Sequence, residues 1–208
     1  MEYVLIAVLA YLAGSIPTGL IVGRVIKGID IRAYGSGKTG ATNVLRTLGP
    51  IPFAAVFAGD FAKGYLPIFL AGLLFSTSWA QVAAGLATLV GHNWSVFLNF
   101  SGGRGVATGI GGLFAVSPMI ALPIPIVATI LIALSRHMSL GNIVGAALTI
   151  PLTILAILWG LERPDYLLYI GPGALIVVYQ HMDNISRLLK GTERKIGELE
   201  TSSSGESS

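Results

Sequence analysis

The stretch GYLPIFLAGLLFSTSWAQVAAGLATLVGHNWSVFLNFSGG, residues 64–103, contains no Asp, Glu, Lys or Arg. About 20 helical residues cross the roughly 30 Å hydrocarbon core of a bilayer, so this run is too long for one helix and must fold back on itself. Ser76-Thr77-Ser78 supplies the reversal. Residues 105–135 repeat the pattern around Ser117-Pro118, and residues 3–23 and 138–161 are uncharged runs that each hold a single span. Charged residues make up only 11% of the chain and hydrophobic residues 53%, against about 25% charged in a soluble domain. The expected fold class is therefore an all-α integral membrane protein.

Counting spans gives about seven transmembrane helices, over residues 3–23, 51–75, 79–97, 105–116, 119–134, 142–161 and 166–180. The fourth and the last are short, and the fourth is a candidate for a partly re-entrant segment, which backbone buried in protein permits. An odd count puts the termini on opposite sides. Arg24, Lys27, Arg32, Lys38, Arg46, Arg104, Arg136, Arg187, Lys190, Arg194 and Lys195 fall in alternate loops or the C-terminal tail, and only Arg163 lies in an opposite loop. This places the N-terminus outside and the C-terminus in the cytoplasm. Residues 1–197 read as one polytopic membrane domain, and 198–208 as a low-complexity disordered tail or an expression remnant. The first span lacks a basic n-region and a cleavage site, which marks it as a retained helix.

Absent residues narrow the chemistry. With no cysteine, thiolate catalysis, disulfides and thiolate metal sites are excluded. The net charge of +3 suits an anionic lipid surface, whereas no basic and aromatic platform supports nucleic-acid binding.

The loop Tyr34-Gly35-Ser36-Gly37-Lys38-Thr39-Gly40-Ala41-Thr42-Asn43-Val44-Leu45-Arg46 joins two apolar segments. Consecutive small residues let backbone N–H groups converge, and Ser36, Lys38, Thr39, Asn43 and Arg46 add donors and charge, so phosphate is the natural ligand class. A solvated basic loop obeying the positive-inside rule would carry the same charge. Three more polar clusters share its membrane face, however: Ser101-Gly102-Gly103-Arg104-Gly105, residues 135–141 with His137 and Ser139, and residues 181–195 with His181 and Asn184. His92 and Asn93 end the helix before the second of these. Asp60 and Lys63, at i and i+3 in the second span, are either an intramembrane ion pair or an anion pocket's cation with its orienting carboxylate.

Two familiar motifs fail. Gly37-Lys38-Thr39 resembles the end of a P-loop, but Arg32 occupies the position of the first glycine and a membrane helix precedes it. A histidine followed five residues later by aspartate would mark a common class of lipid acyltransferase. Here the corresponding pairs are His92 with Phe97, His137 with Asn142 and His181 with Ser186.

The ordered set Gly14-Ser15-Ile16-Pro17-Thr18-Gly19, Gly28-Ile29-Asp30-Ile31-Arg32, Gly35-Ser36-Gly37, Gly40-Ala41-Thr42-Asn43-Val44-Leu45-Arg46, Asp60 with Lys63-Gly64, Gly91-His92-Asn93-Trp94-Ser95, Gly102-Gly103-Arg104-Gly105-Val106-Ala107-Thr108 and His181 with Asn184-Ile185 and Arg187-Leu188-Leu189 resembles the bacterial acyl-phosphate:glycerol-3-phosphate acyltransferases of the PlsY type over nearly the whole chain. Lys38 stands where that family usually has asparagine, Arg104 where it has lysine, and Met182 where a basic residue is common.

The resemblance implies a seven-helix inner-membrane enzyme of phospholipid synthesis with its site facing the cytoplasm and no cofactor or metal. It would transfer a fatty acyl group from acyl phosphate to the sn-1 hydroxyl of glycerol 3-phosphate. Its partners would be those two substrates, membrane lipid, and the enzyme supplying acyl phosphate. Ser36, Asn43, Arg46, Gly102, Gly103 and Arg104 become the expected phosphate cradle, with Lys63, Ser139, His181 and Asn184 next. His92, His181 or a substrate phosphate is the base; Ser36 as nucleophile is the alternative mechanism. A transporter of organic phosphate is the alternative function, but it would show inverted repeats and a midplane site, and this sequence shows no convincing repeat.

The charge asymmetry makes a direct prediction. Single cysteines introduced into this cysteine-free chain near Ser36 and near Lys195 should react with an impermeant thiol reagent only from the cytoplasmic side. Labelling of the Ser36 loop from outside would overturn the orientation.

Overall fold

The computed structural model describes residues 2–197, all of whose named elements are helical; the expected 198–208 tail lies outside the described residues. The first expected span is two helices, α1 (Glu2–Ser15) and α2 (Thr18–Lys27). Pro17 is the cause, since it lacks an N–H and drives the preceding residue out of helical geometry. The carbonyls freed at the break are met by side chains from elsewhere: Ser95 Oγ donates to the Ser15 carbonyl at 2.6 Å, and Lys63 Nζ to that of Ile16 at 2.8 Å.

The glycine-rich loop, read as irregular, contains a helix of its own, α3 (Ala41–Leu48), before α4 (Pro50–Leu74). Beyond these come α5 (Ser78–Asn93), α6 (Val106–Val116), the single turn α7 (Pro118–Ala121), α8 (Pro123–Ser135), α9 (Met138–Leu158), α10 (Leu167–Tyr179) and α11 (Met182–Leu189). Ser78 and Ser117 stand at the expected reversals.

Among the described residues, four stretches are long and apolar enough to cross a membrane: Glu2–Lys27 taken through its break, Pro50–Leu74, Pro118–Ser135 and Met138–Leu158. Val106–Val116 and Pro164–Tyr179 are shorter apolar helices. The α5 helix, 16 residues long, packs inside the others and buries Thr88, His92 and Asn93. Large apolar side chains such as Val4, Leu73, Leu134 and Leu158 point outward, while Asp60, Thr108 and Thr153 are buried. This inversion of the soluble pattern suits hydrocarbon outside and helix contacts within.

Small residues set those contacts. A Cβ at Gly91 would collide with the Tyr11 carbonyl, one at Gly14 with the Thr88 carbonyl, and one at Gly111 with the Phe61 carbonyl. The α1–α5 and α4–α6 pairs therefore meet backbone to backbone. Gly91→Val and Gly111→Val should each cost about 1–3 kcal/mol through overpacking, read as a lower thermal unfolding midpoint in detergent. An unchanged midpoint in both would reject this packing.

Candidate active site

Four of the helices begin at the same place. The cavity there, about 100 Å³, is lined by Gly40, Ala41 and Thr42 at the start of α3, and by Gly105, Val106 and Ala107 at the start of α6. Met138 and Ser139 open α9, and His181 and Asn184 belong to the first turn of α11. None of the four starts has a side-chain cap. Each helix leaves its first N–H groups without intrahelical partners, and their partial positive charge favours an anion by about 0.3–1 kcal/mol per helix. Lys38, Arg46 and Arg104 line the same cavity.

Asn43 holds the glycine-rich loop in shape. Its Nδ2 lies 3.1 Å from the Ile31 carbonyl, 3.1 Å from that of Tyr34 and 2.9 Å from that of Lys38, sharing two protons among three acceptors, and its Oδ1 accepts from the Ser36 N–H at 2.9 Å. These bonds make Asn43, itself part of the cavity lining, a clamp on the loop that carries Ser36. Gly102 and Gly103 also serve packing. A Cβ on Gly102 would strike the His92 carbonyl and one on Gly103 the His92 ring, and the Gly103 N–H donates to the His92 carbonyl at 3.1 Å. The two glycines press the loop onto the end of α5 and so fix where α6 starts.

Lys63 is absent from the cavity lining. It pairs with Asp60 at 2.9 Å while reaching the Ile16 carbonyl, which ties α4 to the Pro17 break. Asp60 and His92 both line the cavity, with His92 Nδ1 3.7 Å from Asp60 Oδ1. His92 thus lies between a carboxylate and the Gly103 backbone.

Arg104 is turned partly inward. One Nη donates to Asp183 at 2.6 Å, and its Nε is buried without a protein partner. Burial first, then nearby Arg187 and Arg46, pull its pKa down against Asp183 and Glu193. Burial also pushes the His181 ring down to about 4, despite its Nδ1 contact with the Val177 carbonyl at 2.8 Å, so the ring is neutral at physiological pH.

The residue that the sequence reading missed is Glu193. It sits in a charged run, Glu193-Arg194-Lys195, which gave no cue beyond a solvated tail. In the fold, Gly191 turns at φ +68°, the Thr192 N–H bonds to the Arg187 carbonyl at 2.9 Å, and the Ile196 N–H bonds to Arg136 at 2.8 Å. The tail therefore doubles back and carries Glu193 into the cavity wall. There it accepts from Ser139 at 2.8 Å, Asn184 at 2.7 Å and Arg187 at 2.8 Å. Burial alone would raise its pKa; the bonds from Asn184, Arg187 and Ser139 outweigh that and hold it low.

A second cavity, about 70 Å³ and almost wholly apolar, runs between α6, α8, α9 and α10 past Gly109, Gly145, Gly173 and Val177. It shares Val106 and Asn142 with the polar one.

A polar, arginine-lined pocket beside an apolar slot in a helical bundle defines a membrane protein with adjoining polar and apolar sites. Comparison with known proteins is specific. Residues 4–191 match the sequence profile of the family described as glycerol-3-phosphate acyltransferase. Glycerol-3-phosphate acyltransferase 3 of Dehalococcoides mccartyi is 44% identical over 95% of this chain and 97% of its own. The glycerol-3-phosphate acyltransferase of Gloeobacter violaceus is 45% identical over 91% and 92%. The crystal structure of PlsY (YgiH), an integral membrane glycerol 3-phosphate acyltransferase, in its glycerol 3-phosphate form superposes with a TM-score of 0.87 at 36% identity, covering 95% of this chain and 96% of that one. Its lysophosphatidic acid form gives 0.85. The chain belongs to the glycerol-3-phosphate acyltransferase family.

Arg46→Ala and Arg104→Ala should each weaken use of glycerol 3-phosphate. Loss of one charge-assisted hydrogen bond costs about 1.5–3 kcal/mol, or roughly tenfold or more in kcat/KM. Unchanged kinetics in both variants would reject the cradle.

Proposed function

We propose that the chain transfers a fatty acyl group from acyl phosphate to the sn-1 hydroxyl of glycerol 3-phosphate, giving lysophosphatidate and inorganic phosphate. Acylation of glycerol 3-phosphate for phospholipid synthesis follows from the family. The donor, the position acylated and the residue roles are our reading. The observation that carries it is the pairing of an anion pocket, built from four uncapped helix starts, with an apolar cavity that shares Val106 and Asn142. The phosphates occupy the first and the acyl chain the second. A transporter of organic phosphate is not favoured by the family.

The reaction needs little covalent help. The mixed anhydride is already activated, so the protein's task is to hold two anions together and set the hydroxyl against the carbonyl. In our scheme Arg46, Arg104 and the α3 and α6 starts hold phosphate, with Ser36 presented by Asn43. The hydroxyl oxygen bonds to the acyl carbon, the bond to the phosphate oxygen breaks, and the hydroxyl proton ends on phosphate. A His181 pKa near 4 makes that ring a poor general base beside a phosphate whose second pKa is about 6. His181 therefore orients the hydroxyl. His92, held between Asp60 and Gly103, supports the α6 start. Among the described residues neither histidine ring bonds to the Ser36 hydroxyl, the ring contacts being His181 Nδ1 with the Val177 carbonyl and His92 Nδ1 with Asp60, which argues against a Ser36 nucleophile.

The placement that goes with this scheme is a single polytopic domain of seven spans in the bacterial inner membrane, the N-terminus outside and the pocket facing the cytoplasm. The charge asymmetry supports it, as does the meeting of four polar clusters at one end of the bundle. Contact with an enzyme that supplies acyl phosphate would then occur on that face.

Purified protein incubated with acyl phosphate and labelled glycerol 3-phosphate should form lysophosphatidate. Intact-protein mass spectrometry with acyl phosphate alone should find no acyl adduct. An adduct that is chemically competent and lost in Ser36→Ala would replace direct transfer with an acyl-enzyme; no product from both substrates would reject the donor.

A further inference from the structure

Arg104 reaches the cavity from a backbone with little room to move. Gly102 and Gly103 lie against His92, and a Cβ on Gly105, at φ +82°, would meet the Leu89 side chain and the Asn93 amide. The side chain has no such constraint of its own: a guanidinium on a long flexible stem binds an oxyanion more tightly when its rotamer freedom is already restricted. Asp183 supplies the restriction. Its Oδ2 accepts from one Arg104 Nη at 2.6 Å and from an Arg187 Nη at 3.3 Å. One Arg104 Nη is thereby engaged, while its Nε is buried without a protein partner, and among the described residues the guanidinium makes no other hydrogen bond.

Asp183 lies outside the cavity lining, between His181 and Asn184, which are buried and belong to it. It occupies the first turn of α11, where a helix start favours a carboxylate. Burial would raise its pKa; Arg104 first and then Arg187 outweigh that and hold it low, so the group is ionised at neutral pH. The pair therefore ties α11 to the residue before the α6 N-cap, with the carboxylate outside the cavity and the guanidinium on its wall. We propose that Asp183 is a positioning residue: it holds the Arg104 guanidinium on the cavity wall so that Nε and the remaining Nη donors meet the phosphate of glycerol 3-phosphate. This deepens the proposed function and rests on it. With the carboxylate gone, a largely buried cation loses its bonded counter-ion and gains by turning to water, away from the ligand. A lysine at position 104 would depend on Asp183 less, because an ammonium is a point charge with rotating donors and has no planar fork to aim.

The test is a double-mutant cycle on Asp183 and Arg104. It is read as KM and kcat for glycerol 3-phosphate with acyl phosphate as donor, and as the Kd of glycerol 3-phosphate by isothermal titration calorimetry, so that a slow variant still counts. Half of the Asp183 side chain is exposed, and solvent screening weakens the pair. Asp183→Asn should accordingly raise KM and Kd about fivefold, with kcat changed less than about twofold. Asp183→Glu should recover part of the loss. In the Arg104→Lys background the same Asp183→Asn change should raise Kd less than about twofold. Asp183→Ser takes the place of Asp183→Asn if thermal unfolding shows that variant not to fold. An unchanged or lower KM in Asp183→Asn, the mark of a carboxylate that competes with phosphate for Arg104, would overturn the inference. So would an equal rise in both backgrounds, since a carboxylate that merely stabilises the α11 start acts whatever stands at position 104. No binding and no acylation of glycerol 3-phosphate by the unaltered protein would instead defeat the proposed function itself.

Discussion

A helix cannot satisfy its own first N–H groups, and inside a bilayer an unsatisfied backbone group costs several kcal/mol. The rest of this structure follows from where the chain puts four of those starts. The beginnings of α3, α6, α9 and α11 all lack side-chain caps, and all meet at one cavity at the end of the bundle. A ligand with several strong acceptor oxygens is the cap they share. The constraint explains the short helices: α3 and α11 are 8 residues each and exist to aim a start at the cavity.

Holding those starts together requires close backbone contact, and this is where the glycines act. Gly102 and Gly103 let the loop before α6 lie on the end of α5, against the backbone and ring of His92. Gly64 and Gly111 bring α6 against the α4 backbone, and the Lys63 contact with the Ile16 carbonyl carries the same support to the Pro17 break. Buried polar groups at and just behind the cavity wall, such as His92 and the Asp60–Lys63 pair, are thus part of its foundation. The apolar cavity is a by-product of the same packing, since Gly109, Gly145 and Gly173 leave space between helices where larger residues would close it.

Positive charge gathers at the cavity: Arg46 and Arg104 line it beside the starts of α3, α6, α9 and α11, while Ser139, Asn184 and Arg187 hold Glu193 in its wall.

The sequence by itself determined the membrane class, because uncharged runs longer than about 20 residues have no other stable home. It also marked the polar clusters on one face, through the spacing of Arg, Lys and His between those runs. It was less informative about individual side chains. Asn43 also braces the loop around Ser36, Lys63 pairs with Asp60 and reaches the Ile16 carbonyl, and Gly102 and Gly103 lie against His92, contacts that no sequence feature announced. Glu193 was not legible at all. Periodicity and composition report which residues avoid water, a property each residue carries locally. Which way a donor points depends on partners 9 and 54 positions away, as for Asn184 and Ser139 with Glu193, and only the folded chain brings those together.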